Sequence, residues 1–173
     1  MRDLDATERE LVDAYLESKK LLARSFQVLA VERYSGAERL EAVKALLVNA
    51  MDVLYPTLPT RYKVVKGFGA SHRLILNYLS QRVGEEVSAE ELRVLTGDAV
   101  HTERRARELR DLGLDVASRS VAGGQQYLLR SAHPDMNAAR SIALHNVNED
   151  NSLTGQERAN LARLLRVADG VTT

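Results

Sequence analysis

An α+β, mainly helical fold is what this 173-residue sequence predicts. Three observations carry that expectation. Stretches near both ends repeat apolar residues every three or four positions, as amphipathic helices do. Between residues 114 and 130 the rhythm changes to alternation around Val121-Ala-Gly-Gly124, a hairpin signal. Proline and turn residues then divide the chain into three segments, 1–60, 61–131 and 132–173.

The first segment reads as two helices. Leu11, Tyr15, Leu22, Phe26 and Leu29 recur at helical spacing with charged residues between them, and Thr7 with Glu10 resembles a capping box. The pattern breaks at Arg33-Tyr-Ser-Gly36. A second helix is expected from Ala37 to Tyr55, with Leu40, Val43, Leu47, Ala50 and Leu54 on one stripe, until Pro56-Thr-Leu-Pro59 stops it. A short turn between two amphipathic helices predicts an antiparallel hairpin. Each helix leaves an apolar face too long to stay in water, so the expectation is a homodimer through these helices. The alternative is packing within the chain against Leu161, Leu164 and Leu165.

The middle segment opens with a basic, glycine-punctuated connector, Arg61 to Gly69. A helix from Ser71 follows, with Leu74, Ile75, Tyr78 and Leu79 on its inner face, ending near Gly84. Glu86-Val87 is a short extended piece, and Ser88-Ala-Glu-Glu91 is a capping box that opens another helix. Thr96-Gly97-Asp98 is a turn, and a further helix runs from His101 to Leu112 with Gly113 as its C′ residue. Strands Leu114–Arg119 and Gln125–Arg130 complete the segment. Helix, short strand, helix, turn, helix and two-stranded ribbon is the order of a winged helix-turn-helix. In the last segment, a C-terminal helical extension, a short helix is expected at Asp135–Leu144 and a polar loop at Asn146–Ser152. Thr154-Gly-Gln-Glu157 then caps a final helix carrying Leu161, Leu164, Leu165 and Val167.

Composition narrows the function classes. Without cysteine there is neither a disulfide framework nor a thiolate metal site. The longest apolar runs, such as Ala45–Val48, are too short to cross a bilayer, and Met1-Arg-Asp-Leu-Asp5 lacks a secretory signal's apolar core. A cytoplasmic protein with no membrane partner is the expectation. Formal net charge is zero, but residues 61–130 carry 12 Lys and Arg against 9 Asp and Glu, so the middle segment is the basic one. No catalytic constellation, metal site or cofactor motif emerges. His145-Asn-Val-Asn148 with Asp150 has metal-ligating side chains but reads as a polar surface loop, and Gly67-Phe-Gly69 lacks the strand-turn-helix setting of a phosphate loop. His72, at a helix start, reads as a capping or surface residue.

The informative stretch is His101-Thr-Glu-Arg-Arg-Ala-Arg-Glu-Leu-Arg110. With Leu109 facing inward, a rotation of about 100° per residue puts Ala106 and Leu112 on the packed face and Arg104 and Arg107 opposite. Glu103 and Arg110 flank that exposed side, and Arg105 falls beside the packed edge. Arginine's planar fork can hold a phosphate or a guanine edge. The first residues of a recognition helix approach bases first, which nominates His101, Thr102 and Glu103 as well. The ribbon adds Arg119 and the flexible Gly123-Gly124 tip. The competing reading is a solvated face whose arginines are balanced by Glu103, Glu108 and Asp111.

Gly84-Glu-Glu-Val-Ser-Ala-Glu-Glu-Leu92, then Arg104-Arg-Ala-Arg-Glu-Leu-Arg-Asp111, Gly113 and the closing Gln126-Tyr-Leu-Leu129 resemble a known family. It is the winged-helix domain that precedes the nuclease in many bacterial HNH-type restriction endonucleases. The resemblance implies a module that binds double-stranded DNA with sequence or modification preference, in a restriction or defence setting, with a nuclease as partner. Two departures stand out. The family often has Gly-Trp after the arginine helix, where this chain has Gly113-Leu114. A nuclease would follow the last helix, and the sequence given stops at Thr173, which suits a fragment or a relative without the catalytic part. The rival expectations are a chain that itself contributes to DNA cleavage and a winged helix used for protein docking.

Overall fold

A computed structural model describes residues 6–34, 39–97 and 99–167. The order is α1 (Ala6–Tyr34), α2 (Arg39–Leu54), a 3-10 turn (Thr60–Tyr62), α3 (Ala70–Ser80), β1 (Glu86–Ser88) and α4 (Ala89–Leu95). It continues with α5 (Thr102–Glu108), a 3-10 turn (Leu109–Leu112), β2 (Asp115–Val121), β3 (Gly124–Ser131), α6 (Asn137–Glu149) and α7 (Gly155–Val167). The fold is therefore mainly helical with one small antiparallel sheet, as the sequence predicts. Strand order is β1-β3-β2, with Val87 opposite Tyr127 and Ser118 opposite Tyr127 from the other side. Among the described residues no helix is long and apolar enough to cross a membrane.

Local chemistry sets several boundaries. Ser88 Oγ accepts from the Glu91 amide at 3.1 Å, and the Glu91 carboxylate accepts from the Ser88 amide at 3.2 Å, which closes the capping box on α4. The same carboxylate accepts from the Tyr78 hydroxyl at 2.9 Å and so ties α4 to α3. Burial, with that bond, pushes the Tyr78 phenol up to about 12. The Glu157 amide donates to Thr154 Oγ1 at 3.3 Å, capping α7. Gly113 has a φ of +77°, the left-handed C′ conformation that ends the arginine-rich helix.

One apolar cluster holds these elements together and crosses all three sequence segments. Leu40, Leu47 and Met51 of α2 meet Ile75, Leu76 and Leu79 of α3. Leu92, Leu95, Ala106, Leu109, Tyr127 and Leu129 continue the cluster, and Ala139, Ala143 and Val147 of α6 close it.

The structure corrects four sequence expectations. The antiparallel α1–α2 hairpin is not what forms: α1 packs on α4 and α3, while α2 packs on α3 and α6. The cause lies at the end of α1, where Tyr34 is buried edge-on against Tyr78, ring centroids 5.2 Å apart, and its carbonyl accepts from the side-chain amide of Asn77. The buried stripe of α2 is Leu40, Val43, Leu47 and Met51, with Leu54 exposed, because the helix phase drifts away from the expected rhythm. Residues expected as a loop from Asn146 belong instead to α6, as far as Glu149. Asn146 donates from there to the carbonyls of Tyr62 and Val64, at 2.9 and 2.8 Å, so a tertiary contact outweighs its weak helix propensity. Finally, α1 starts at Ala6, which puts Thr7 inside the helix rather than before it. Two expected turn residues, Gly36 and Asp98, lie outside the described residues.

Candidate nucleic-acid interface

α5 is short, and its tilt is set from the turn before it. Thr102 is buried. Its hydroxyl donates to the Ala99 carbonyl at 2.7 Å and lies 2.7 Å from the hydroxyl of buried Thr96, which itself reaches the Leu92 carbonyl at 2.9 Å. His101 immediately precedes the helix in the left-handed region, at φ +65°, and is exposed. Ala106, Leu109 and Leu112 then point into the core. The opposite face carries Arg104 and Arg107, both exposed, as the sequence phase requires. Arg105 sits half-buried at the edge and donates to Ser71 Oγ at 2.8 Å.

The nominated residues fall into three groups. His101, Arg104 and Arg107 are exposed on or just before α5. Glu103, Arg110 and Arg119 are engaged within the protein. Glu103 pairs with Arg93. Arg110 donates to the Val116 carbonyl at 2.6 Å and to Ser118 Oγ at 2.7 Å, bracing β2. Arg119 pairs with Glu86 on β1 at 2.5 Å, so its charge is answered before any ligand arrives. Thr102 is a correction, because a buried hydroxyl bonded to the α4–α5 turn does not face a ligand.

Charge on the exposed face is only partly free. Arg104 Nε donates to Glu108 at 2.7 Å. Desolvation raises the Glu108 carboxyl, but hydrogen bonds from His72 and Arg104 outweigh it and hold the group below its ordinary value. Among the described residues Arg107 makes no hydrogen bond or ion pair, and the same holds for Lys66.

Lys66 lies on the connector that sequence reasoning recognised as basic but could not place. Four bonds place it: those of Asn146, a 2.7 Å bond from Tyr62 to Asp150, and one from Lys44 to the Phe68 carbonyl at 3.2 Å. The connector thereby borders α5. A cleft of about 940 Å³ is lined by Lys66 and Phe68 of the connector, by Arg104 and Glu108 of α5, and by His145 and Glu149 of α6. A smaller one, about 410 Å³, lies between the first turn of α3 and His101, Arg104 and Arg105. His72 is buried there: its Nδ1 accepts from the Gly69 amide at 3.2 Å, and its Nε2 faces Glu108. No group of three or more metal-binding side chains occurs among the described residues.

The surface built from α5 and the connector thus offers two unanswered cations, a partly answered arginine and an exposed imidazole, with Glu108, Asp111, Glu149 and Asp150 lining the same cleft. Such an arrangement can hold a polyanion along one edge and present planar donors to base edges. Searches among curated proteins and among solved structures found no match. Residues 72–130, about a third of the chain, match the family model of the KpnI N-terminal domain, a restriction-enzyme domain, and the match runs from buried His72 to the end of β3.

Proposed function

We propose that residues 61–131 form a winged helix-turn-helix that binds double-stranded DNA, with α5 presented to the major groove. The module would serve a restriction nuclease of the HNH type in the cytoplasm, with segments 1–60 and 132–173 as its supports. The observation that carries the reading is the pairing of an exposed Arg104–Arg107 edge with the element order α3-β1-α4-α5-β2-β3. Within that order the third helix is short, anchored on its inner side, and free on its outer side, as a recognition helix must be. The match to the KpnI N-terminal domain over the same residues supports the restriction setting. Lys66 and Arg104 contact phosphate in this reading, while Arg107 and His101 reach base edges.

Selection of bound duplexes from a random pool, methylated and unmethylated, tests the proposal. Enrichment of one sequence, lost in Arg107→Ala while its thermal melt is unchanged, supports it. A base-edge arginine should be worth about 1–3 kcal/mol and one position of preference, whereas a phosphate contact should weaken all sequences alike. Recovery of no duplex above background by the intact chain would overturn it.

A further inference from the structure

The cleft of about 940 Å³ that the connector, α5 and α6 line has a charge pattern of its own. Two of its charged pairs are closed within the protein, Arg61 with Asp150 at 3.7 Å and Arg104 with Glu108 at 2.7 Å. Lys66, Asp111 and Glu149 line the same cleft and are exposed, and none has a hydrogen-bond or ion-pair partner among the described residues. One cation and two carboxylates are therefore left unanswered. A continuous row of phosphates running through the cleft would meet net repulsion from them, whereas a single phosphate at Lys66 would not.

Donors and acceptors come from different elements. The connector supplies the donors: the Lys66 ammonium, and the amides of Gly67 and Phe68, which have no acceptor among the described residues. Gly67 has a φ of +88°, a left-handed turn of the kind that lets successive N–H groups converge on one anion. The acceptors are Asp111, in the 3-10 turn after α5, and Glu149, the last residue of α6. Phe68 adds a half-buried aromatic ring to the lining. It is held by its carbonyl, which accepts from Lys44 at 3.2 Å, and by an edge contact with His72, ring centroids 5.1 Å apart. A ligand that answers all of these carries an anion, a flat ring and an N–H edge. A nucleotide whose base bears an exocyclic amino group has all three, and the volume lies within the range of about 300–1,000 Å³ usual for small-ligand sites.

We propose that this cleft takes one unstacked nucleotide, with its phosphate on Lys66 and the amides of Gly67 and Phe68, its base on the Phe68 ring, and its amino group toward the carboxylates of Asp111 and Glu149. Stacking on an aromatic ring holds any base, and a carboxylate accepting from an amino edge selects among them. Two sources offer this chemistry, a free mononucleotide and a nucleotide extruded from a duplex lying on α5. The second source rests on the proposed DNA reading, and the first does not.

Titration of the intact chain with deoxycytidine monophosphate and thymidine monophosphate, followed by amide chemical shifts, tests the site without any duplex. Saturable shifts in the connector and at the end of α6 are expected. The thymidine nucleotide should bind at least about fivefold more weakly, because its base turns carbonyl oxygens toward the carboxylates. Lys66→Gln should weaken both nucleotides alike, and Asp111→Ala with Glu149→Ala should abolish the preference between them. These three positions are exposed, and an unchanged thermal melt verifies that the variants fold. A duplex carrying one aminopurine, whose fluorescence rises on unstacking, separates the sources. A rise on adding the chain, lost in the double variant, assigns the extruded nucleotide, whereas binding of the free nucleotide with no such rise assigns the free one. Free nucleotide bound by a chain that holds no duplex would support the site and sink the DNA reading. A chain that holds duplex but shows neither cleft shifts nor a rise would overturn the site and leave the DNA reading standing. Equal affinity for the two nucleotides, a preference that survives the double variant, or oligolysine shifting the cleft where nucleotides do not would each overturn it as well.

Discussion

Nε2 of His72 lies 2.9 Å from the Glu108 carboxylate, joining the first turn of α3 to the last turn of α5. Nδ1 of the same ring accepts from the Gly69 amide, so the ring's proton is on Nε2 and points at Glu108. The carboxylate accepts from Arg104 as well. One acid therefore positions the helix and also mutes the charge of its exposed arginine.

Glu108→Gln separates those two roles. The amide still has an oxygen for His72, so the fold should lose only about 1 kcal/mol. Arg104 loses its ion-pair partner, and the exposed face gains one unit of positive charge. Duplex affinity should rise a few-fold, and the slope of log affinity against log salt should steepen by up to about 1. Titrations at several salt concentrations measure both. An unchanged slope would place Arg104 away from the phosphates.

Thr102 gives the opposite expectation. Its hydroxyl is buried between Thr96 and the Ala99 carbonyl, so it acts on the α4–α5 turn. Thr102→Val keeps the shape and removes the hydrogen bond, which should cost about 1–2 kcal/mol of stability. Binding measured well below the melting temperature should match wild type. Lost binding in a normally melting variant would return Thr102 to the list of DNA readers.

These two residues show which features the sequence makes legible. The α4 capping box, the Gly113 stop and the outward phase of Arg104 and Arg107 are local, set by neighbours within four residues, and each is readable from spacing. The burial of Thr102 is a consequence of Thr96 arriving from the preceding helix. His72 reads as a capping or surface residue, and it does cap α3 by accepting from the Gly69 amide; what spacing does not reveal is its burial against Glu108, 36 positions away. Asn146 sits in a run of loop formers, yet two connector carbonyls hold it in α6. Arg119 looks free in sequence because its partner, Glu86, lies across the sheet on β1. Which charges are unanswered is therefore a tertiary property, and the nominated cations were not all equivalent for that reason.

Gly113→Ala should be severely destabilising. The backbone there has a φ of +77°, and an added Cβ would lie 2.4 Å from the Asp135 carbonyl oxygen and 2.8 Å from its amide nitrogen. Those atoms belong to backbone that is itself held, since the Asp135 amide donates to the Gly113 carbonyl at 2.8 Å. Left-handed strain alone costs about 1–2 kcal/mol, and the clash adds to it. A loss of at least 2 kcal/mol in urea unfolding is expected, roughly the strain figure with its clash. Gly123→Ala is the control. Nothing lies within 4 Å of a Cβ there and its φ is ordinary, so little should change.

The last prediction concerns acid. Hydrogen bonds from the Ser152 hydroxyl, the Tyr62 hydroxyl and the Ser152 amide, with Arg61 nearby, hold the Asp150 carboxyl down at about 2, against 3.8 ordinarily. A group depressed in the folded state binds its proton more readily when unfolded. Its contribution to stability is therefore complete above about pH 4 and is lost as pH falls toward 2. Asp150→Asn removes the titration but keeps an oxygen for Ser152. The variant should melt below wild type near neutral pH, and the gap should close between about pH 4 and pH 2. Because Tyr62 and Asp150 fasten the connector that carries Lys66, the same substitution should also loosen that strand of the cleft and weaken duplex binding at neutral pH. Thermal melts across the acid range, paired with one binding titration, test both halves. A gap that stays constant with pH would show that the carboxylate's charge plays no part in holding the connector.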